Sequence, residues 1–117
     1  MNNRLPESLK DFRFPAQIRL KGGKALQETI RQGRRISGGA IGLTYIKSES
    51  NHFGIGVTRG FGKAVGRNRI KRVVREYLRQ NKERWPTNFN VFIRVFSNTR
   101  DEKQITGDLG LLLKQIK

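Results

Sequence analysis

Along the chain the apolar residues change period several times, and each change marks an element. Over residues 24–32, Ala25, Leu26, Thr29 and Ile30 recur at helical spacing, and Gly33 stands where such a helix would end. Arg34 to Ser37 lead into a region of period two, Ala40 to Lys47, in which Ile41, Leu43 and Tyr45 share one face of a strand. A turn cluster, Ser48 to Asn51, separates it from a second strand, Phe53 to Thr58. There Phe53, Ile55 and Val57 face one way and Gly54 and Gly56 the other. A face made of glycine is thin, so another backbone or a ligand can approach it closely.

The period then lengthens again. From Arg67 or Asn68 to about Lys82, Ile70, Val73, Val74, Tyr77 and Leu78 form one helical stripe, with Trp85 and Pro86 beyond its end. Asn90 to Phe96 reads as a strand with Val91, Ile93 and Val95 on one face, while Phe89, Phe92 and Phe96 add bulk. After a polar stretch, Ser97 to Lys103, a closing helix carries Leu109, Leu112, Leu113 and Ile116. The resulting order, α-β-β-α-β-α, fits one α/β sandwich with helices packed on a small sheet. Residues 1–18 form a polar lead-in punctuated by Pro6 and Pro15. In it Phe12 and Phe14 either dock on the domain or belong to a disordered tail, so the domain proper is expected over residues 19–117.

Charge changes the picture most. The 117 residues hold 25 Lys and Arg against 9 Asp and Glu, a net charge of +16, so the expected partner is a polyanion. No stretch approaches the roughly 18 to 20 apolar residues of a membrane span, and no apolar signal core follows Met1, which points to a cytoplasmic protein. Cysteine is absent and His52 is the only histidine. Disulfides, thiol nucleophiles and Cys zinc sites are thereby excluded, and a His-based triad or metal cluster would have to work with that single imidazole. His52 reads as a polar residue at a strand edge.

The basic residues concentrate on the central helix and its entry loop. Between Arg59 and Arg79 eight cations (Arg59, Lys63, Arg67, Arg69, Lys71, Arg72, Arg75, Arg79) face one acid, Glu76. Asn68, Arg72, Arg75 and Arg79 fall at i, i+4, i+7 and i+11, opposite the apolar stripe. A solvated surface helix usually mixes signs at i, i+4. This face instead suits a phosphate backbone, and its arginines suit bidentate phosphate and base-edge contacts. The entry loop, Arg59-Gly-Phe-Gly-Lys-Ala-Val-Gly66, does not match a nucleotide phosphate loop, because Ala64 follows Lys63 where Ser or Thr would hold magnesium.

The segment Gly62-Lys-Ala-Val-Gly-Arg-Asn-Arg-Ile-Lys-Arg-Val-Val-Arg-Glu76 resembles the RNR signature of the bacterial ribonuclease P protein family. Phe53-Gly-Ile-Gly-Val-Thr-Arg59 before it is similar to that family's preceding strand. Arg19-Leu-Lys21 with Arg31-Gln-Gly33, Val91-Phe-Ile-Arg94 and Leu109 to Ile116 match its flanking elements. The resemblance covers about Arg19 to Lys117. It implies an α-β-β-β-α-β-α fold, with one strand more than the period shows, and a left-handed βαβ crossover around the RNR helix. It further implies a protein that pairs with a catalytic RNA, binds the 5′ leader of precursor tRNA and assists its Mg2+-dependent endonucleolytic removal. The catalytic centre and most of the Mg2+ would then belong to the RNA, and no catalytic or metal-binding residue is expected in this chain.

Two surfaces follow from the resemblance. Lys63, Arg67, Asn68, Arg69, Lys71, Arg72, Arg75 and Arg79 would face the catalytic RNA. A cleft between the first helix and the sheet would hold the leader, with Leu26, Ile30, Arg31, Thr44, Tyr45, Arg59 and Arg94 as candidates. Leu26 and Ile30 stand where the family often has stacking aromatics, and Gly60 where it often has a basic residue. A small basic ribosomal protein would fit the composition equally well, but not the RNR segment. A DNA-reading helix-turn-helix lacks its preceding helix and tight turn. A standalone protein nuclease lacks paired metal ligands.

Overall fold

The computed structural model describes residues 19–20, 23–58, 64–96 and 101–116. The elements run α1 (Lys24–Gln32), β1 (Arg34–Gly38), β2 (Ile41–Lys47), β3 (His52–Val57), α2 (Ala64–Gln80), a 3-10 turn (Lys82–Arg84), β4 (Phe89–Val95) and α3 (Glu102–Leu113). The order is α-β-β-β-α-β-α, as the family resemblance implies. The strand that the period misses is β1. It lies at the sheet edge and is exposed except at half-buried Ile36, so it has no apolar rhythm to read. What makes it a strand is pairing: Arg34 to Gly38 run antiparallel to Tyr45 to Ile41.

The hairpin closes through Gly39 and Ala40. Gly39 has φ +60°, which the first central residue of a two-residue hairpin loop requires and which glycine adopts without strain. The Ala40 N–H is fully buried and donates to Asp108 Oδ2 of α3 at 2.9 Å, across 68 positions of sequence. Asp108→Ala should therefore cost about 1–3 kcal/mol, the penalty for an unpaired buried donor. Asp108→Asn, which keeps an acceptor, should recover most of it. An unchanged urea midpoint in the alanine variant would mean that the N–H finds another partner.

The four strands lie in the order β1-β2-β4-β3. β2 is antiparallel to β4, and β3 is parallel to β4, so β3-α2-β4 is a βαβ unit. One face of the sheet is the core. Ile41, Leu43, Tyr45, Phe53, Val91, Ile93 and Val95 meet Ile70, Val74 and Leu78 of α2 and Ile105, Leu109, Leu112 and Leu113 of α3 there. Asp101 caps α3, its Oδ1 accepting from the N–H groups of Lys103 and Gln104. That cap starts the helix inside the stretch that reads as polar from sequence. Past the end of α2, Trp85 Nε1 donates to the Leu78 carbonyl at 2.9 Å, and its ring meets Phe53 edge-on at 4.9 Å.

The other face carries Gly42 and Thr44 of β2, Gly54 and Gly56 of β3, and Phe92 and Arg94 of β4, as the register requires. The helix α1 lies across it, touching β2 and β4. The thin glycine face anticipated in β3 is filled from within the protein: the Phe92 ring lies over both glycines, and a Cβ on Gly56 would come within 2.7 Å of its Cζ.

Candidate nucleic-acid interface

The helix α2 carries both stripes read from the sequence. Ile70, Val74 and Leu78 are buried against the sheet. On its outer side Asn68 and Arg72 are exposed. Arg67, Lys71 and Arg75 share a row at i, i+4 and i+8 and are half-buried. The bottom of that row reaches β3: Arg75 and Arg19 line a cavity of about 150 Å³ with Leu20, Phe53, Gly54 and Ile55. Arg19 is brought there by a parallel bridge to Phe53, reinforced by the Leu20 N–H donating to the Phe53 carbonyl at 2.8 Å. Burial, and then repulsion from Arg19, lower the pKa of the Arg75 guanidinium from its ordinary value. It remains a cation at neutral pH, and an anion between the two guanidiniums would remove the repulsion.

Arg69 and Arg79 both meet carboxylates within the protein. Arg69 Nε meets Glu102 Oε2 of α3 at 2.9 Å, with the arginine side chain 73% exposed. An ion pair so open to water contributes little to stability, and its arginine can exchange the carboxylate for a phosphate. Arg79 is different. It is half-buried, and its Nη2 lies 2.7 Å from Glu76 Oε1, which also accepts from Gln80 Nε2. The one acid of the basic segment thus neutralises its last arginine. Arg59 and Lys63 lie outside the described residues.

On the opposite face a cavity of about 250 Å³ opens between α1 and the sheet. Of the sequence candidates, Ile30, Thr44 and Arg94 line it, joined by Arg35, Ser37, Gly42 and Phe96. Leu26 is half-buried and Arg31 exposed on α1, but neither lines this cavity. Tyr45 does not belong to the cleft. It is 6% exposed on the core face and meets Phe89 edge-on at 5.7 Å. Adjacent residues of a strand point to opposite faces, so Thr44 and Tyr45 cannot both face one cleft.

Among the cleft residues that sequence reading missed, Arg35 and Phe96 carry the most chemistry. Arg35 lies in the edge strand that has no periodicity. Its Nη2 donates to the Ile30 carbonyl at 3.1 Å, satisfying a backbone oxygen near the end of α1. Phe96 had a usable signal, since Phe92, Arg94 and Phe96 alternate with the buried Val91, Ile93 and Val95. His52 sits at the start of β3, its Nδ1 2.9 Å from Asn90 Oδ1, a strand-end polar pair. Among the described residues no helix is long and apolar enough to cross a membrane.

Comparison with known proteins agrees with this geometry. The Ribonuclease P family model matches residues 14–117. The ribonuclease P protein component of Desulforapulum autotrophicum is 35% identical over 109 residues, 90% of this chain and 93% of that protein. Its counterpart from Syntrophobacter fumaroxidans is 34% identical over 85 residues, 71% of each chain. The solved structure of the RNase P protein from Thermotoga maritima superposes with a TM-score of 0.76 at 28% identity, covering 85% of this chain and 97% of that one. With its fold, its basic helix and its central segment all in agreement, the chain belongs to the ribonuclease P protein family, whose proteins work with RNA.

Proposed function

We propose that this chain assembles with the catalytic RNA of ribonuclease P and, in that complex, engages the 5′ leader of precursor tRNA in the cytoplasm. The observation that carries the reading is the presence of two cationic surfaces on opposite sides of one sheet. The outer side of α2 presents Asn68, Arg69 and Arg72, flanked by Arg67, Lys71 and Arg75. A structured RNA offers it a dense array of phosphates, and neutralising them releases condensed counterions. The cleft across the sheet is mixed in character and bordered by Arg35 and Arg94. It suits a single strand, whose bases are unstacked and whose backbone can follow a groove.

The protein then contributes affinity and position. With the leader held on one face and the catalytic RNA on the other, the scissile bond is located between two fixed points. Binding energy gained on the leader, away from the reacting atoms, goes into that orientation. Among the described residues no group of three or more His, Cys, Asp or Glu is placed to bind a metal ion. We assign the Mg2+ that the reaction needs, and the hydrolytic step, to the RNA.

Reconstitution tests the reading. The chain alone should not cleave precursor tRNA. Mixed with a bacterial ribonuclease P RNA it should stimulate 5′ maturation, most strongly at low Mg2+, where its cations substitute for counterions. Absence of stimulation at every point of a Mg2+ titration would overturn the proposal.

A further inference from the structure

Among the described residues that line the cleft there is one aromatic ring, and it comes from the sheet. The helix α1 presents the aliphatic Leu26 and Ile30, whereas Phe96, just past the end of β4, lines the cavity with Ile30, Thr44, Arg35 and Arg94. Its position is built from below. The Phe96 N–H donates to the Ala40 carbonyl at 2.9 Å, which continues the β2–β4 ladder by one residue. Its ring extends diagonally over Gly42, where a Cβ would approach the ring Cζ to 2.8 Å. Any other residue at position 42 would displace the ring.

Phe92 also lies on this face, and it is already used. Leu20 crowds the same point above Gly54, and the Arg94 guanidinium carbon lies 5.7 Å from the Phe92 centroid. Phe96 instead borders open space. Arg35, held by the Ile30 carbonyl, and Arg94, held over Phe92, bring two exposed cations to the borders of the same cavity. A ring with cations beside it is the arrangement that binds an unpaired nucleotide, the base stacking and the phosphates meeting the cations.

We propose that Phe96, seated over Gly42, is the stacking surface for one unpaired leader nucleotide, with Arg35 and Arg94 meeting its flanking phosphates. The inference rests on the leader-cleft reading above and deepens it. It moves base recognition from α1 to the end of β4. Because stacking uses the π-face that every base has, the site tolerates any leader base at that position.

A purely structural role is the competing account, since a cross-strand ring often covers a glycine. The test is made on the holoenzyme, using precursor tRNAs with 2-aminopurine at each leader position in turn, with mature tRNA for comparison. The wild-type complex should quench the probe at one position. Phe96→Leu should abolish that quenching and lower the preference for precursor over mature tRNA by roughly 5- to 150-fold, the factor equivalent to stacking one base. Phe96→Trp should retain both, and Gly42→Val should reproduce the Phe96→Leu result with the ring still present. If Phe96→Leu does not fold, the Phe96→Trp complex decides alone: the new indole must be quenched by leader-bearing substrate and not by mature tRNA. Full selectivity and quenching in Phe96→Leu would mean that the ring only packs on Gly42, leaving the cleft reading intact. A wild-type complex without any precursor preference would instead bring down the cleft reading itself.

Discussion

Replacing Arg67, Arg72 and Arg75 together by alanine should flatten the dependence of log K on log salt for RNA binding by about 2 to 3 units. Each phosphate that the variant no longer neutralises accounts for roughly 0.7 to 0.9 of that slope. The three positions sample both the outer side of α2 and the row that descends to β3. None of them belongs to the core cluster, so thermal stability should change by only a few tenths of a kcal/mol at each site. Arg75→Ala also removes the guanidinium that Arg19 repels, an effect that favours the free protein slightly. The measurement is a salt titration of affinity for ribonuclease P RNA. An unchanged slope would mean that α2 does not meet phosphates and that the cleft face carries the electrostatic attraction. Arg79→Ala is the internal comparison. Arg79 is half-buried beside Glu76 whereas Arg72 is exposed on the outer side of the helix, so the slope should move less than for Arg72→Ala.

Leu78→Ala should have the opposite signature. Leu78 is fully buried where α2 meets the sheet, and truncating it removes apolar burial and leaves a cavity, at a cost of about 2–5 kcal/mol. A chain of this length has on the order of 6–18 kcal/mol in total, so the loss is a large share of it. The melting temperature should fall by roughly 10 °C or more. The salt slope measured on the remaining folded protein should stay as it was, because every cation of α2 is still present. Apparent RNA affinity then falls only as far as the folded population does, and it recovers as RNA concentration rises, since ligand binding favours the native state. A changed slope with an unchanged melting temperature would show that the position controls the charged face rather than the core. The two variants thus separate what seats the helix from what the helix binds.

Much of this design can be read from residue order. The α2 stripe, the core faces of β2, β3 and β4, and the apolar positions of α3 all follow from period, because each element buries one face and leaves the other to polar residues. Element ends are less legible. The helix α2 begins at Ala64, a turn before the expected start, since Ala64 to Gly66 carry no amphipathic signal of their own. The strand β1 is invisible to periodicity because an edge strand owes its existence to the neighbour's hydrogen bonds. The cleft is only half legible. Thr44 and Arg94 follow from their strands, but Tyr45 does not belong with them, and the alternation that places it with Leu43 already says so.

The amino-acid sequence by itself determined that this protein is a small cationic α/β domain with one helix split between an apolar and a basic stripe. Its RNR segment, within Gly62 to Glu76, specified the family. These are local properties, set by spacing along one element and by net charge. Tertiary structure alone decided which cations converge and which are already paired. Arg19 meets Arg75 across β3, Arg69 meets Glu102 between helices, and Arg35 and Phe96 reach one cleft from opposite ends of the fold. The first and third depend on strand order and register, β1-β2-β4-β3, which bring residues about 60 positions apart together, and the second on how the two helices pack side by side. The period of a single element carries no record of which neighbour it will pair with.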